Sequence, residues 1–136
     1  MQTQTHGTDA GRESLAQIVT RMMVTMMQMD DEVDLREYGR IVHLVARRFG
    51  LDPAEVEACV ERQLQPGNDA PAFDEWARRI KSSYSRRDLV SILSDVWAVA
   101  EADGHVDYFE ERYMSRLATL LGVSSREVRQ ARAHAA

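Results

Sequence analysis

Cysteine is nearly absent from this chain, since Cys59 is the only one among its 136 residues. A single thiol can build neither a disulfide framework nor a thiolate metal cluster, which excludes the proteins that depend on either. Cys59 falls on helical spacing with Val56, Val60 and Leu64, so we expect it to act as a small buried hydrophobic residue. A reducing cytoplasm is the compartment that this composition predicts.

Long apolar runs and an excess of positive charge are also missing. No uncharged stretch approaches the roughly 18 apolar residues that a membrane span requires, and residues 1–11 contain neither a basic segment nor an apolar one. We therefore expect no transmembrane segment. The net charge is −5 and the 17 basic residues are spread along the chain. Because nucleic-acid binding requires a concentrated positive surface, we expect no nucleic-acid partner.

Signatures of catalysis are equally scarce. The sequence has no phosphate-binding glycine loop, no serine elbow and no Glu-x-x-His spacing of the kind that di-iron bundles use. Its four histidines, which a hydrolytic zinc site would need close together, are scattered over tail, helix, turn and terminus: His6, His43, His105 and His134. Paired carboxylates suit acid–base chemistry, but nothing else predicts a pocket, so we expect no enzyme.

Helical periodicity is what the sequence has throughout. Apolar residues, 44% of the chain, recur at helical spacing, and no segment shows sustained strand alternation. These patterns predict an all-α fold, a single pseudo-symmetric helical bundle of about seven helices. We expect residues 1–12 to form a flexible tail and residues 13–136 the helical domain. The turn-forming stretch 66–71 divides that domain into units 13–65 and 72–136.

Methionines dominate the first predicted helix, which runs from Glu13 or Ser14 to Asp30. They raise the alternatives of a copper site or a peptide groove, but their helical spacing favours core packing. Trp76 and Trp97 are expected to anchor the core in the second unit.

An acidic corner between two apolar helical runs is the strongest functional signal. Asp103-Gly104 predicts a helix end that needs positive φ, and Asp107 with Glu110 predicts a capping box that starts the next helix. Asp103 continues the apolar spacing of the preceding helix, so its carboxylate should lean inward. A buried acid needs an arginine, a backbone amide, a proton or a metal ion as its partner.

The acidic corner has a second copy. Asp30 to Glu37 aligns with Asp103 to Glu110 without a gap, and the Asp, Val, Asp and Glu positions coincide. In the first copy, Asp34 and Glu37 predict another capping box. We expect the two units to pack face to face with their most apolar helices, the first and the one over 89–102, at the centre. The sequence leaves open whether Asp30 and Asp103 converge.

The stretch from Leu93 to Val123, with its Ala-Asp-Gly-x-Val-x-x-x-Glu signature and a later Leu-Gly-Val, resembles the tellurite-resistance TerB family. The resemblance extends over residues 15–132 and implies an all-helical cytoplasmic domain associated with tellurite and other stress resistance. Related domains occur beside co-chaperone modules, which implies a protein partner. The resemblance also implies divalent-metal binding by acidic residues at the two turns, which here are Asp30, Asp34, Glu37, Asp103, Asp107 and Glu110.

Two functions remain open for those acids. The second copy matches only the latter half of an EF-hand loop. Val99 stands where its first carboxylate belongs, and Met26 fills the same position in the first copy, so neither copy is an EF-hand. A hard cation, calcium or magnesium, could instead collect carboxylates from both turns. The alternative is a metal-free interaction scaffold in which the acids only cap helices, and in which Arg78, Arg79, Lys81, Arg86 and Arg87 offer a basic side to a protein partner. The sequence does not predict the oligomeric state.

Overall fold

Seven α-helices account for nearly all of the residues that the computed structural model describes, 14–29, 34–65 and 73–135, and these residues contain no strand. The all-α prediction is therefore confirmed, whereas the pseudo-symmetry and the domain and unit boundaries stay predictions. The predicted tail 1–12 and the dividing turn 66–71 lie outside the described residues. In chain order the helices are α1 (Leu15–Met27), α2 (Leu35–Phe49), α3 (Pro53–Leu64), α4 (Phe73–Ser83), α5 (Arg86–Ala100), α6 (Tyr108–Leu121) and α7 (Ser125–Ala135).

Most of these helices begin and end where local side-chain chemistry dictates. Ser14 and Asp52 each form a reciprocal capping box at the start of their helix, and Pro53 occupies the first turn of α3. At the C-terminal ends of α2 and α6, Gly50 and Gly122 adopt the left-handed conformation with φ of 64° and 72°. Glycine takes this conformation without a steric penalty, so it stops a helix cleanly.

Helix α1 lies at the centre of the fold and packs against α2, α3, α4, α5 and α6. Four of its methionines, Met22, Met23, Met26 and Met27, have no solvent exposure. This confirms core packing as their role. Helix α5 is the second central element and packs against α1, α2, α6 and α7. The prediction that these two helices form the centre is therefore confirmed, and one buried cluster includes residues from all seven helices.

The structure confirms the predicted burial of the two tryptophans but not that of the cysteine. Trp76 and Trp97 are each only 3% exposed, as expected of core anchors. Cys59 is half-buried rather than buried, and its Sγ lies 3.5 Å from the Gln63 side-chain nitrogen. The prediction was wrong about its depth because Val56 and Val60 occupy the buried stripe of α3 and leave Cys59 on its flank.

Candidate functional site

The second acidic turn, residues 101–107, connects α5 to α6. Helix α5 ends at Ala100, earlier than Asp103, and Gly104 supplies the predicted positive φ of 99°. The Asp103 side chain is only 10% exposed, and its Oδ1 accepts a hydrogen bond from the His105 backbone N–H at 3.1 Å. The expected inward lean of Asp103 is confirmed, and a backbone amide is its observed partner.

Asp107 and Glu110 form the predicted capping box at the start of α6. The Glu110 N–H donates to Asp107 Oδ1 at 2.8 Å, and the Asp107 N–H donates to Glu110 Oε1 at 3.0 Å. Glu110 is 1% exposed, so the start of α6 holds it well inside the molecule. One oxygen of each carboxylate is therefore committed to the helix end.

The described part of the first acidic turn begins at Asp34, which caps α2. Asp34 Oδ1 accepts from the Arg36 backbone N–H at 2.8 Å, and its Oδ2 pairs with the Arg36 guanidinium at 3.3 Å. The Arg36 side chain, followed by the Arg36 and Glu37 backbone amides, lowers the pKa of Asp34 below its usual range. The prediction of a reciprocal capping box between Asp34 and Glu37 was wrong, since Asp34 caps α2 by accepting from the Arg36 N–H, and Glu37, which the repeat aligns with Glu110, is completely buried.

Arg36 brings the two acidic turns into one electrostatic neighbourhood. Its hydrogen-bonded partner Asp34 raises the pKa of the Arg36 guanidinium, and the charges of Asp103 and Glu37 add to that effect. The charge of Asp103 in the second turn therefore acts on a side chain at the start of α2. Sequence reasoning missed Arg36, and the repeat offered no signal because Phe109 occupies the equivalent position.

The carboxylates that the structure describes do not by themselves fit a cation site. Within the ranges 14–29, 34–65 and 73–135, no three side chains of His, Cys, Asp or Glu are grouped so that they could hold a metal ion. Asp107 and Glu110 serve the cap of α6, and Asp34 is held by Arg36. Of the other three candidates, Glu37 is completely buried and Asp103 accepts from the His105 backbone N–H, whereas Asp30 lies outside the described residues.

A cavity of about 500 Å³ adjoins the second turn, with Arg40 of α2 on one side and Arg132 of α7 on another. Arg132 is held firmly: its guanidinium stacks 4.4 Å from the Trp97 ring centre and lies 3.3 Å from Glu101 and 3.2 Å from Glu111. Cation–π stacking and two ion pairs together orient this side chain. No sequence pattern indicated it, because the partners lie 21 to 35 residues away along the chain.

The fold and the site define a small helical domain in which Asp34 and Asp107, one from each acidic segment, cap helices. The chain belongs to the TerB family: the family described as "Tellurite resistance protein TerB" matches residues 16–133, nearly the whole sequence. This confirms the resemblance seen in the acidic signature. No curated protein and no solved structure matches the chain. Among the described residues, no helix is long and apolar enough to cross a membrane.

Proposed function

We propose that this TerB-family chain is a non-catalytic binding protein of the tellurite and stress response, which acts in the cytoplasm through contacts with a protein partner. The observation that carries this proposal is the reciprocal pair of hydrogen bonds between Asp107 and Glu110, which gives the best-matched acids of the family signature a structural role. We therefore assign partner binding to the exposed surface. The accessible basic residues there are Arg78, Lys81, Arg86 and Arg87.

A divalent cation at the acidic turns is the second candidate, and one observation favours it. The charge of Asp103 contributes to the raised pKa of Arg36, which also pairs with Asp34, so acids of both turns act on one side chain. Calcium and magnesium prefer such oxygen ligands. Because the described acids do not form a site alone, Asp30 would have to complete the ligand set. Arg36 would compete with the ion for the same carboxylates.

Thermal unfolding with and without added calcium or magnesium tests the two candidates. If the cation binds, the wild-type melting temperature rises with ion concentration, because a ligand bound only by the folded state stabilises it. The double variant Asp103→Asn with Asp30→Asn should abolish that rise. A matched control, Asp52→Asn with Asp74→Asn, removes the same charge at two exposed positions and should retain it.

Two results decide between the candidates. A wild-type melting temperature that does not respond to either ion rules out the cation and leaves the protein-binding role. An ion response that both double variants retain equally places binding away from the turns and contradicts Asp30 and Asp103 as ligands. Mapping of backbone amide chemical-shift changes during a titration with calcium or magnesium locates the ion, since a site at the turns confines the changes to the turns.

A further inference from the structure

A groove of about 610 Å³ lies between α5 and α7, away from the acidic turns. The two helices run in the same direction, because Arg86 pairs with Glu127 near both N-terminal ends, whereas Arg132 contacts Trp97 and Glu101 near the other ends. The residues that line the groove follow α5 from Arg86 to Ser94, and Val90 is the one apolar residue among those described there.

Hydrogen-bond donors without partners line this groove. The side chains of Arg87, Ser94, Gln130 and His134 make no hydrogen bond or ion pair with any other residue in the described part of the chain. Ser91 Oγ already accepts from Arg48 Nη2 at 2.7 Å, so its hydroxyl hydrogen is left to donate. These groups can donate hydrogen bonds to a ligand.

The one carboxylate that lines the groove, among the described residues, is already neutralised. Arg86 donates to both oxygens of Glu127, at 2.7 Å and 3.1 Å, and the Ser124 backbone N–H donates to Oε1 at 2.9 Å. These bonds lower the pKa of Glu127, with the Ser124 amide as the largest cause. Among the described residues that line the groove, no free carboxylate therefore accompanies the Arg87 charge.

Size and donor spacing identify the kind of ligand. Arg87 and Ser94 are seven residues apart on α5, which is about 10 Å along a helix, or the length of about three extended peptide residues. A single inorganic oxyanion is too small to meet donors spread over that distance. A peptide can accept hydrogen bonds from donors at this spacing, because its carbonyl oxygens recur along its length and an acidic side chain supplies the charge.

We propose that the groove between α5 and α7 binds a short acidic segment of a protein partner, with a carboxylate at Arg87 and main-chain carbonyls at Ser94 and Gln130. This proposal deepens the protein-binding role given above and does not depend on the cation. Charge complementarity supports it, because the groove presents unpaired donors and a net positive end to a negatively charged segment.

Titration of the isotope-labelled protein with acetylated tetraglutamate, followed by backbone amide shifts, tests the proposal. Shifts should appear on the facing sides of α5 and α7. The variant Arg87→Glu should weaken binding about tenfold or more, because it replaces a charge-assisted contact with repulsion. The variant Arg112→Glu makes the same charge change on an exposed position of α6 that does not line the groove and should bind like wild type.

Three outcomes would overturn the proposal: equal binding of acetylated tetraglutamine, equal weakening by both arginine variants, or saturation of the same shifts by inorganic phosphate at the same affinity. The first removes the role of charge, the second indicates nonspecific attraction, and the third indicates a small-anion site. None of them alters the melting-temperature response to calcium or magnesium, so these outcomes contradict the groove alone and leave the choice between the protein-binding role and the cation to that response.

Discussion

Tyr113 shows how much one buried side chain contributes to this fold. Its ring is 8% exposed, and its hydroxyl donates to the Met22 backbone carbonyl at 3.0 Å, which ties α6 to the central helix α1. Burial raises the pKa of the Tyr113 phenol far above its usual range, so the group remains a donor at any physiological pH. The hydrogen bond and the packing of the ring are separable contributions.

Replacing Tyr113 by phenylalanine separates them. The variant Tyr113→Phe keeps the ring but removes the donor, so the free energy of unfolding should fall by about 1 kcal/mol. Urea unfolding measures the change. The control Tyr108→Phe removes a hydroxyl from a residue that is 64% exposed and should change stability little. Equal losses in both variants would contradict a specific role for the buried bond.

At the scale of the helix or turn, the effect of a glycine on stability depends on its position. Gly104 has a φ of 99° in the second turn, a conformation that residues with a Cβ rarely adopt. Gly39 lies within α2, where glycine is a poor helix former. An added Cβ meets nothing within 4 Å at either position, so backbone conformation alone distinguishes them.

Alanine substitutions at the two glycines should therefore have opposite signs. Gly39→Ala should stabilise the protein by about 0.5 to 1 kcal/mol, because alanine favours the helix and restricts the unfolded chain. Gly104→Ala should destabilise it by about 1 to 2 kcal/mol, because alanine is strained at positive φ. Chemical denaturation of both variants checks the signs, and a stabilising Gly104→Ala would show that the turn relaxes to negative φ.

The whole molecule is held together partly by carboxylates that bridge elements. Glu127 caps α7 through Ser124 and pairs with Arg86 of α5, and its pKa is lowered. A lowered folded-state pKa means that the charged carboxylate favours folding. The stabilising contribution of the charged Glu127 carboxylate is present above its ordinary pKa of 4.5. It is lost as pH falls through the lower pKa that Glu127 has in the folded state. Asp34 acts in the same direction from the start of α2.

Acid should therefore destabilise the molecule, and Glu127→Gln should reduce that effect. We expect the difference in denaturant midpoint between neutral pH and a pH below 4.5 to be smaller in this variant than in wild type. The control Glu75→Gln removes an exposed carboxylate from α4 and should leave the difference unchanged. An unchanged pH difference in Glu127→Gln would contradict this assignment.

At the scale of the molecule, the sequence predicted the helices, the central position of α1 and α5, and several helix caps. These features follow from rules that act over a few residues, such as the 3.6-residue period and the bond from a cap to an amide three positions away. It therefore located the Asp107–Glu110 box and the turn at Gly104. It was less accurate at the ends of α5, which spans Arg86–Ala100 rather than the predicted 89–102.

The sequence by itself determined which residues form helices, where the acidic turns fall and which family the chain resembles, because each of these is encoded by neighbours along the chain. Only the tertiary structure decided that Asp103 acts on Arg36, that Arg132 stacks on Trp97, and that unpaired donors face one groove between α5 and α7. Those arrangements depend on how helices distant in sequence pack against one another. Local periodicity carries no information on that packing, since many crossing geometries bury the same apolar stripe.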